Sequence, residues 1–234
     1  MYFGAALAAL LLCAGFFTSA QNLRQPLGWG IEIAVTLNSD QTVAMLTGTS
    51  FAAGLNVYAA IGTLGLLARA GVIILPSGLE TLQSWWIIGI ALAMFGMEFV
   101  ADKIPAFDLL WNALQTFIRV PVAALVAYGA TSHLSPGMQL ASAVLGGLIA
   151  FAAHGGKTAL RAAVTPSPEP VSNVALSLGE DVAAISLSWL AFQHPYITAT
   201  VVVILLVGIA LLARWVIRGL RRLFRRSGNA LVGG

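Results

Sequence analysis

Long apolar runs dominate the pattern of this chain, and its polar residues fall mostly between them. Seven segments approach the roughly 20 mostly apolar residues that a helix needs to cross a bilayer. They are 2–20, 43–68, 84–104, 107–130, 137–160, 172–193 and 196–217. Barrel strands would alternate over short segments instead. The pattern predicts an all-α integral membrane protein of about seven transmembrane helices. Between the first two segments lies QNLRQPLGWGIEIAVTLNSD, whose middle alternates apolar and polar and suits a short interfacial helix or strand.

Composition agrees with the pattern. Of 234 residues, 59% are hydrophobic and 9% charged, where a soluble domain carries about 25% charged residues. The 24 glycines suit helices that pack closely through small residues. The single cysteine, Cys13, lies in an apolar run, so cysteine builds neither a disulfide framework nor a metal cluster. No cofactor or metal is expected. Six of the twelve Lys+Arg residues fall in RWVIRGLRRLFRR (214–226). A basic cluster abutting a span marks the cytoplasmic side, where Arg218, Arg221, Arg222, Arg225 and Arg226 would contact anionic lipid headgroups. The cluster is short and adjoins a span, which argues against nucleic acid as a partner.

The basic residues also orient the chain. With the C-terminal arginines inside, seven spans place the N-terminus outside. The first segment ends FTSAQ like a signal peptide but lacks a positive n-region, so it is expected to stay as a span. Arg24, Lys103, Lys157, Arg161 and the six C-terminal arginines then lie inside, Arg69 lies outside, and Arg119 falls within a span.

The segments repeat in order. GLNVYAAIGTLGLLARAGV (54–72) aligns with GGLIAFAAHGGKTALRAAV (146–164), matching Gly54 with Gly146 and Arg69 with Arg161. ALAMFGMEFVA (91–101) aligns with NVALSLGEDVA (173–183), matching Glu98 with Glu180. Three spans per repeat is an odd number, so the halves must cross in opposite directions. Such 3+3 inverted repeats are common in secondary transporters, whose sites lie at the repeat interface. The expected division is an N-terminal transmembrane helix and polar connector (1–42), two three-helix repeats (43–130 and 131–217), and a basic cytoplasmic tail (218–234).

The stretches AAGLN (52–56), EFVADKIPAFDLLWNALQTFIRVP (98–121) and PVSNVALSLGEDVAAISLSWLAFQHP (170–195) resemble a family of bacterial multi-spanning proteins of unknown function, the DUF 4126 family. The resemblance covers roughly residues 45–215. It implies a bacterial inner (plasma) membrane location and the importance of the motif residues, and it carries no activity.

Charge inside the apolar segments is scarce and therefore informative. An ionisable group in hydrocarbon costs roughly 2.5–3.5 kcal/mol on insertion scales, so such groups pair, line water or stay neutral. Glu98 and Asp102 are four positions apart and share a helix face. Asp102 and Lys103 suit a topology-setting pair near the membrane surface. Glu180 is about nine residues from either end of its segment, where desolvation favours a protonated carboxyl. That is a property of proton-coupling groups, and a structural ion pair holding two helices together is the alternative. Asp181 points some 100° away around the helix, towards a different partner. Arg119 lies two residues before Pro121, whose missing N–H loosens the preceding turn. There it can pair with Glu98 or Glu180, or grip an anion bidentately. Lys157, beside Gly155–Gly156, suits an inner-leaflet anchor or a site cation, and Asn56 an interhelical hydrogen bond or a substrate contact. His154 suits a packing histidine.

The chain holds no GxxxxGK[ST], no metal-spaced His pair and no GxSxG elbow, so no known enzyme motif is present. The leading expectation is a transporter or lipid translocase for an anionic amphiphile or small anion. Glu98, Glu180, Arg119, Asp181, Asp102, Asn56 and Lys157 would form its site. The competing expectations are a non-transporting subunit, homo-oligomeric or bound to a membrane partner, and a lipid-modifying enzyme using Glu180 and Asp181 as acid and base.

Overall fold

A computed structural model describes residues 39–101, 105–164 and 170–232. Segment 2–20 and the alternating stretch before Ser39 lie outside the described residues. Every regular element among those described is helical.

The second apolar segment is two helices, not one. Helix α1 (Ser39–Leu55) stops at Asn56, and α2 (Val57–Arg69) begins directly after it. Asn56 has extended backbone angles, φ −151° and ψ 103°. The local sequence GLN favours a break, because Gly is a poor helix former and Asn a strong N-cap. The Asn56 Oδ1 accepts from the N–H groups of Tyr58 at 3.1 Å and Ala59 at 2.9 Å. Helix α2 closes at Gly71, whose φ of +68° suits a residue without Cβ. There Gly71 N donates to Ala68 O and Val72 N to Leu67 O, the paired bonds of a Schellman turn.

A 3₁₀ turn (Ser77–Gln83) leads into α3 (Trp85–Ala101) at 67°. Helices α4 (Pro105–Ala130), α5 (Pro136–Val164), α6 (Pro170–Gln193) and α7 (Pro195–Val232) follow, each opening on proline. The first helical position suits proline, since an N–H there would have no helical partner. Helix α7 runs through the arginine-rich segment, so the expected basic tail continues the last helix.

Helix α1 lies at the centre, packed on α4, α5, α6 and α7. Small residues let the backbones meet: Ala52, Ala123, Ala127, Ala150, Ala153, Ala184 and Ala191 are all buried. At Gly54 the approach to α5 is so close that a Cβ would stand 2.5 Å from the Ala150 carbonyl oxygen. The outer faces are apolar, with Phe117, Leu125, Leu148, Phe151, Ile204 and Val207 exposed. Water-facing surfaces rarely carry such contiguous apolar area.

Three helices among the described residues are long and apolar enough to cross a membrane: Pro136–Arg161, Val174–Gln193 and Pro195–Trp215. The 3₁₀ turn and α3 make a fourth if that bent pair is one span. The remaining expected spans differ for stated reasons. The 43–68 segment is interrupted at Asn56, and within α4 the described apolar helix is the shorter Leu114–Ala130.

The Gly54 contact yields a prediction. Gly54→Val should lower stability by about 1–3 kcal/mol, because the backbone of α5 leaves the side chain no room. Gly89→Ala, with nothing within 4 Å of its Cβ position, should raise it slightly. Thermal unfolding in detergent measures both.

Candidate functional site

Breaking a helix exposes carbonyls at one new end and amides at the other. Here α1 ends on the carbonyls of buried Gly54 and half-buried Leu55, within the bundle, and side chains meet them. Arg119 of α4 donates from Nη1 to Leu55 O at 2.9 Å and Gly54 O at 3.4 Å. Lys157 of α5 donates to the same Leu55 oxygen at 3.2 Å. Cations at a helix C-terminus also complement its dipole. On the amide side, the Asn56 Nδ2 donates to Asp181 Oδ1 at 2.8 Å, so a carboxylate faces the N-terminus of α2.

Those cations require counterions, and two further helices supply them. Glu98 of α3 accepts from Arg119 Nη2 through Oε1, and the same oxygen lies 3.5 Å from Lys157 Nζ. Glu180 of α6 lies 3.0 Å from Lys157 Nζ. Arg161 of α5 takes Glu180 with two parallel bonds, Nη2 to Oε2 at 2.6 Å and Nε to Oε1 at 3.3 Å. Three cations, Arg119, Lys157 and Arg161, thus meet the carboxylates of Glu98 and Glu180, while Asp181 joins through Asn56; all six charged side chains are buried, three of each sign among the described residues. Balance is what a low-dielectric core demands, since removing one member of a buried pair costs about 3–5 kcal/mol.

Neutral groups complete the shell. His154 Nδ1 is 2.9 Å from Arg119 Nη1; because the guanidinium donates, Nδ1 accepts and Nε2 carries the imidazole proton. Gln115, one turn before Arg119, donates to the Tyr58 hydroxyl at 3.2 Å. Three buried polar atoms here have no partner: Glu98 Oε2, Arg119 Nε and Gln115 Oε1.

The structure therefore joins Glu98, Glu180, Arg119, Asp181, Asn56 and Lys157. Asp102 lies outside the described residues, as do the side chains of Arg221, Arg222, Arg225 and Arg226. Arg218 is exposed. Of the two readings of Lys157, the structure gives it the surroundings of a site cation, with a fully buried side chain among the carboxylates. Arg161, which was not among the expected site residues, is buried on Glu180. The spacing His154, Lys157, Arg161 (i, i+3, i+7) puts all three on one face of α5 and was the available signal. Arg69, its counterpart in the proposed repeat, is exposed instead, 4.2 Å over the Trp85 ring and bonded to Gln83 O.

Among the described residues, no group of three His, Cys, Asp or Glu is placed to hold a metal. An open cleft of about 500 Å³ beside Gly71, Ile73 and Glu80 shares no residue with the network.

A helical bundle built around a broken helix and a balanced buried ion network is the class that fold and site define. The chain belongs to the family described as a domain of unknown function, DUF4126, whose model matches residues 43–215, a span containing every network residue. No curated protein and no solved structure matches it.

Asn56 joins the break to the network, and its two roles are separable. Asn56→Ala loses the cap and the bond to Asp181, and should cost about 2 kcal/mol. Asn56→Asp keeps a capping oxygen but sets a second carboxylate against Asp181, and should cost at least as much. An aspartate variant as stable as the native chain would show that the Asp181 contact contributes nothing.

Proposed function

We propose that the protein is an integral membrane transporter or lipid translocase for an anionic amphiphile or small anion, with its pathway passing the α1–α2 break. The observation that supports this most is the break itself. Half-helix ends deep in a bundle, flanked by charged side chains, are the usual construction of transporter sites, while a continuous helix would serve packing better. The charges lie on four helices, α3 to α6, so partner exchange among them couples site occupancy to helix position.

The seven-span plan and the 3+3 inverted repeat belong to this reading. In its favour, α5 packs on α4 as α1 packs on α7, and Glu98 and Glu180 approach the same Lys157 ammonium. The different surroundings of Arg69 and Arg161 lend the repeat no support at that position. The N-terminus outside and the C-terminus in the cytoplasm complete the plan, with the basic end of α7 against anionic lipid.

One observation favours the subunit reading. Arg161 and Glu180 form a bidentate pair, as a structural bridge would.

Reconstitution into liposomes decides between them. Protein-dependent redistribution of a fluorescent anionic phospholipid, or a change of internal pH under a pH gradient, is the expected result. Glu98→Gln should cut that signal at least tenfold while the protein stays folded and monodisperse. No signal in either channel across several anionic lipids would move the assignment to the subunit.

A further inference from the structure

The two arginines that meet glutamates are used differently. Arg161 presents its Nε/Nη2 edge to both oxygens of Glu180. Arg119 presents only Nη2 to one oxygen of Glu98. Its Nε and the second Glu98 oxygen, Oε2, are buried and unpartnered. The guanidinium edge that takes a carboxylate or phosphate by two parallel bonds is therefore half engaged. An unpaired buried polar atom is costly, and three of them around one fully buried arginine call for an explanation.

Resting on the transport reading, we propose that the Nε/Nη2 edge of Arg119 is an oxyanion site that takes one carboxylate or phosphate group together with one proton, with Glu98 as the resident anion that gives way. The charge count supplies the proton. Among the described residues three buried cations already balance three buried carboxylates, so an incoming anion alone would leave an uncompensated charge there. Adding a proton to Glu98 restores the balance: the carboxylate becomes the neutral acid, and its place on Arg119 passes to the new oxyanion. Oε2, bonded to nothing, is free to carry that proton, whereas both oxygens of Glu180 are engaged. The groups facing Glu98 are Arg119 of α4, Lys157 of α5 and, within electrostatic reach, Tyr58 of α2; Glu180 of α6 lies behind Lys157, and His154 of α5 behind Arg119.

The test uses the full chain in neutral detergent and reads melting temperature and proton uptake from weakly buffered solution. Acetate and inorganic phosphate form the soluble arm, against chloride at matched ionic strength. Micelles doped with phosphatidic acid, against phosphatidylcholine, form the lipid arm. Stabilisation with about one proton taken up per anion is expected in at least one arm, and the responding arm identifies a free anion or a lipid headgroup as the source. Arg119→Lys keeps the charge, removes the fork and should weaken apparent affinity at least about tenfold. Should that variant fail to fold, Glu98→Gln carries the test: it should bind the anion more tightly than the native chain and take up no proton. Native-like affinity in Arg119→Lys, native-like proton uptake in Glu98→Gln, chloride stabilising as well as the oxyanions, or silence in both arms would overturn the proposal. Binding without any liposome flux would overturn the transport reading alone.

Discussion

The Leu55 carbonyl is the constraint from which the interior of this protein follows. A helix that stops within a bundle leaves its last carbonyls without helical partners, and Leu55 O takes two donors, Arg119 Nη1 and Lys157 Nζ. Those donors are cations, so each brings a demand for negative charge that only other helices can meet. Glu98 arrives on α3, and Glu180 on α6. Lys157 in turn fixes the rotation of α5, which carries Arg161 and His154 to the same side. A single interruption at Asn56 thereby dictates which faces of four neighbouring helices point inward.

That chain of demands has a different character at its two ends. At the α5–α6 end, one edge of Arg161 engages both oxygens of Glu180. At the α3–α4 end, Glu98 and Arg119 leave capacity unused on both sides. Networks of this sort hold firmly when every member is satisfied, and partial satisfaction is where alternative arrangements become accessible. Architecture and adaptability can therefore coexist in one cluster.

Much of this was legible in the chain. Continuous apolar runs announced helices, and scarcity of charge made Glu98, Arg119 and Glu180 conspicuous. The pairing of Asp181 with a partner other than that of Glu180 follows from a 100° step between adjacent residues. What hydropathy could not deliver was the interruption of 43–68, since Gly54 and Asn56 barely lower the mean hydropathy of a long window while their backbone consequences are local. Arg161 was obscured for a related reason. Positive residues near a segment end suggest a membrane surface, and only the three-residue stripe on α5 reveals that this one turns inward. The close approach of α1 and α5 depends on backbones meeting at Gly54 and Ala150, positions 96 residues apart that carry no individual mark.

Stiffness is unevenly distributed as a result. Helices α1 and α5 come close enough at Gly54 for their backbones to meet, with little side chain between them there. Helix α3 leans on α2 and the 3₁₀ turn, touches α4 at few points, and turns Trp86, Ile90, Met97 and Val100 outward. Glu98 thus sits on a compliant helix, while the cations it meets are mounted on a rigid frame. A displacement of α3 alone would change the Glu98–Arg119 separation, so the helix that meets α4 at few points among the described residues is the one whose movement would open the charge network.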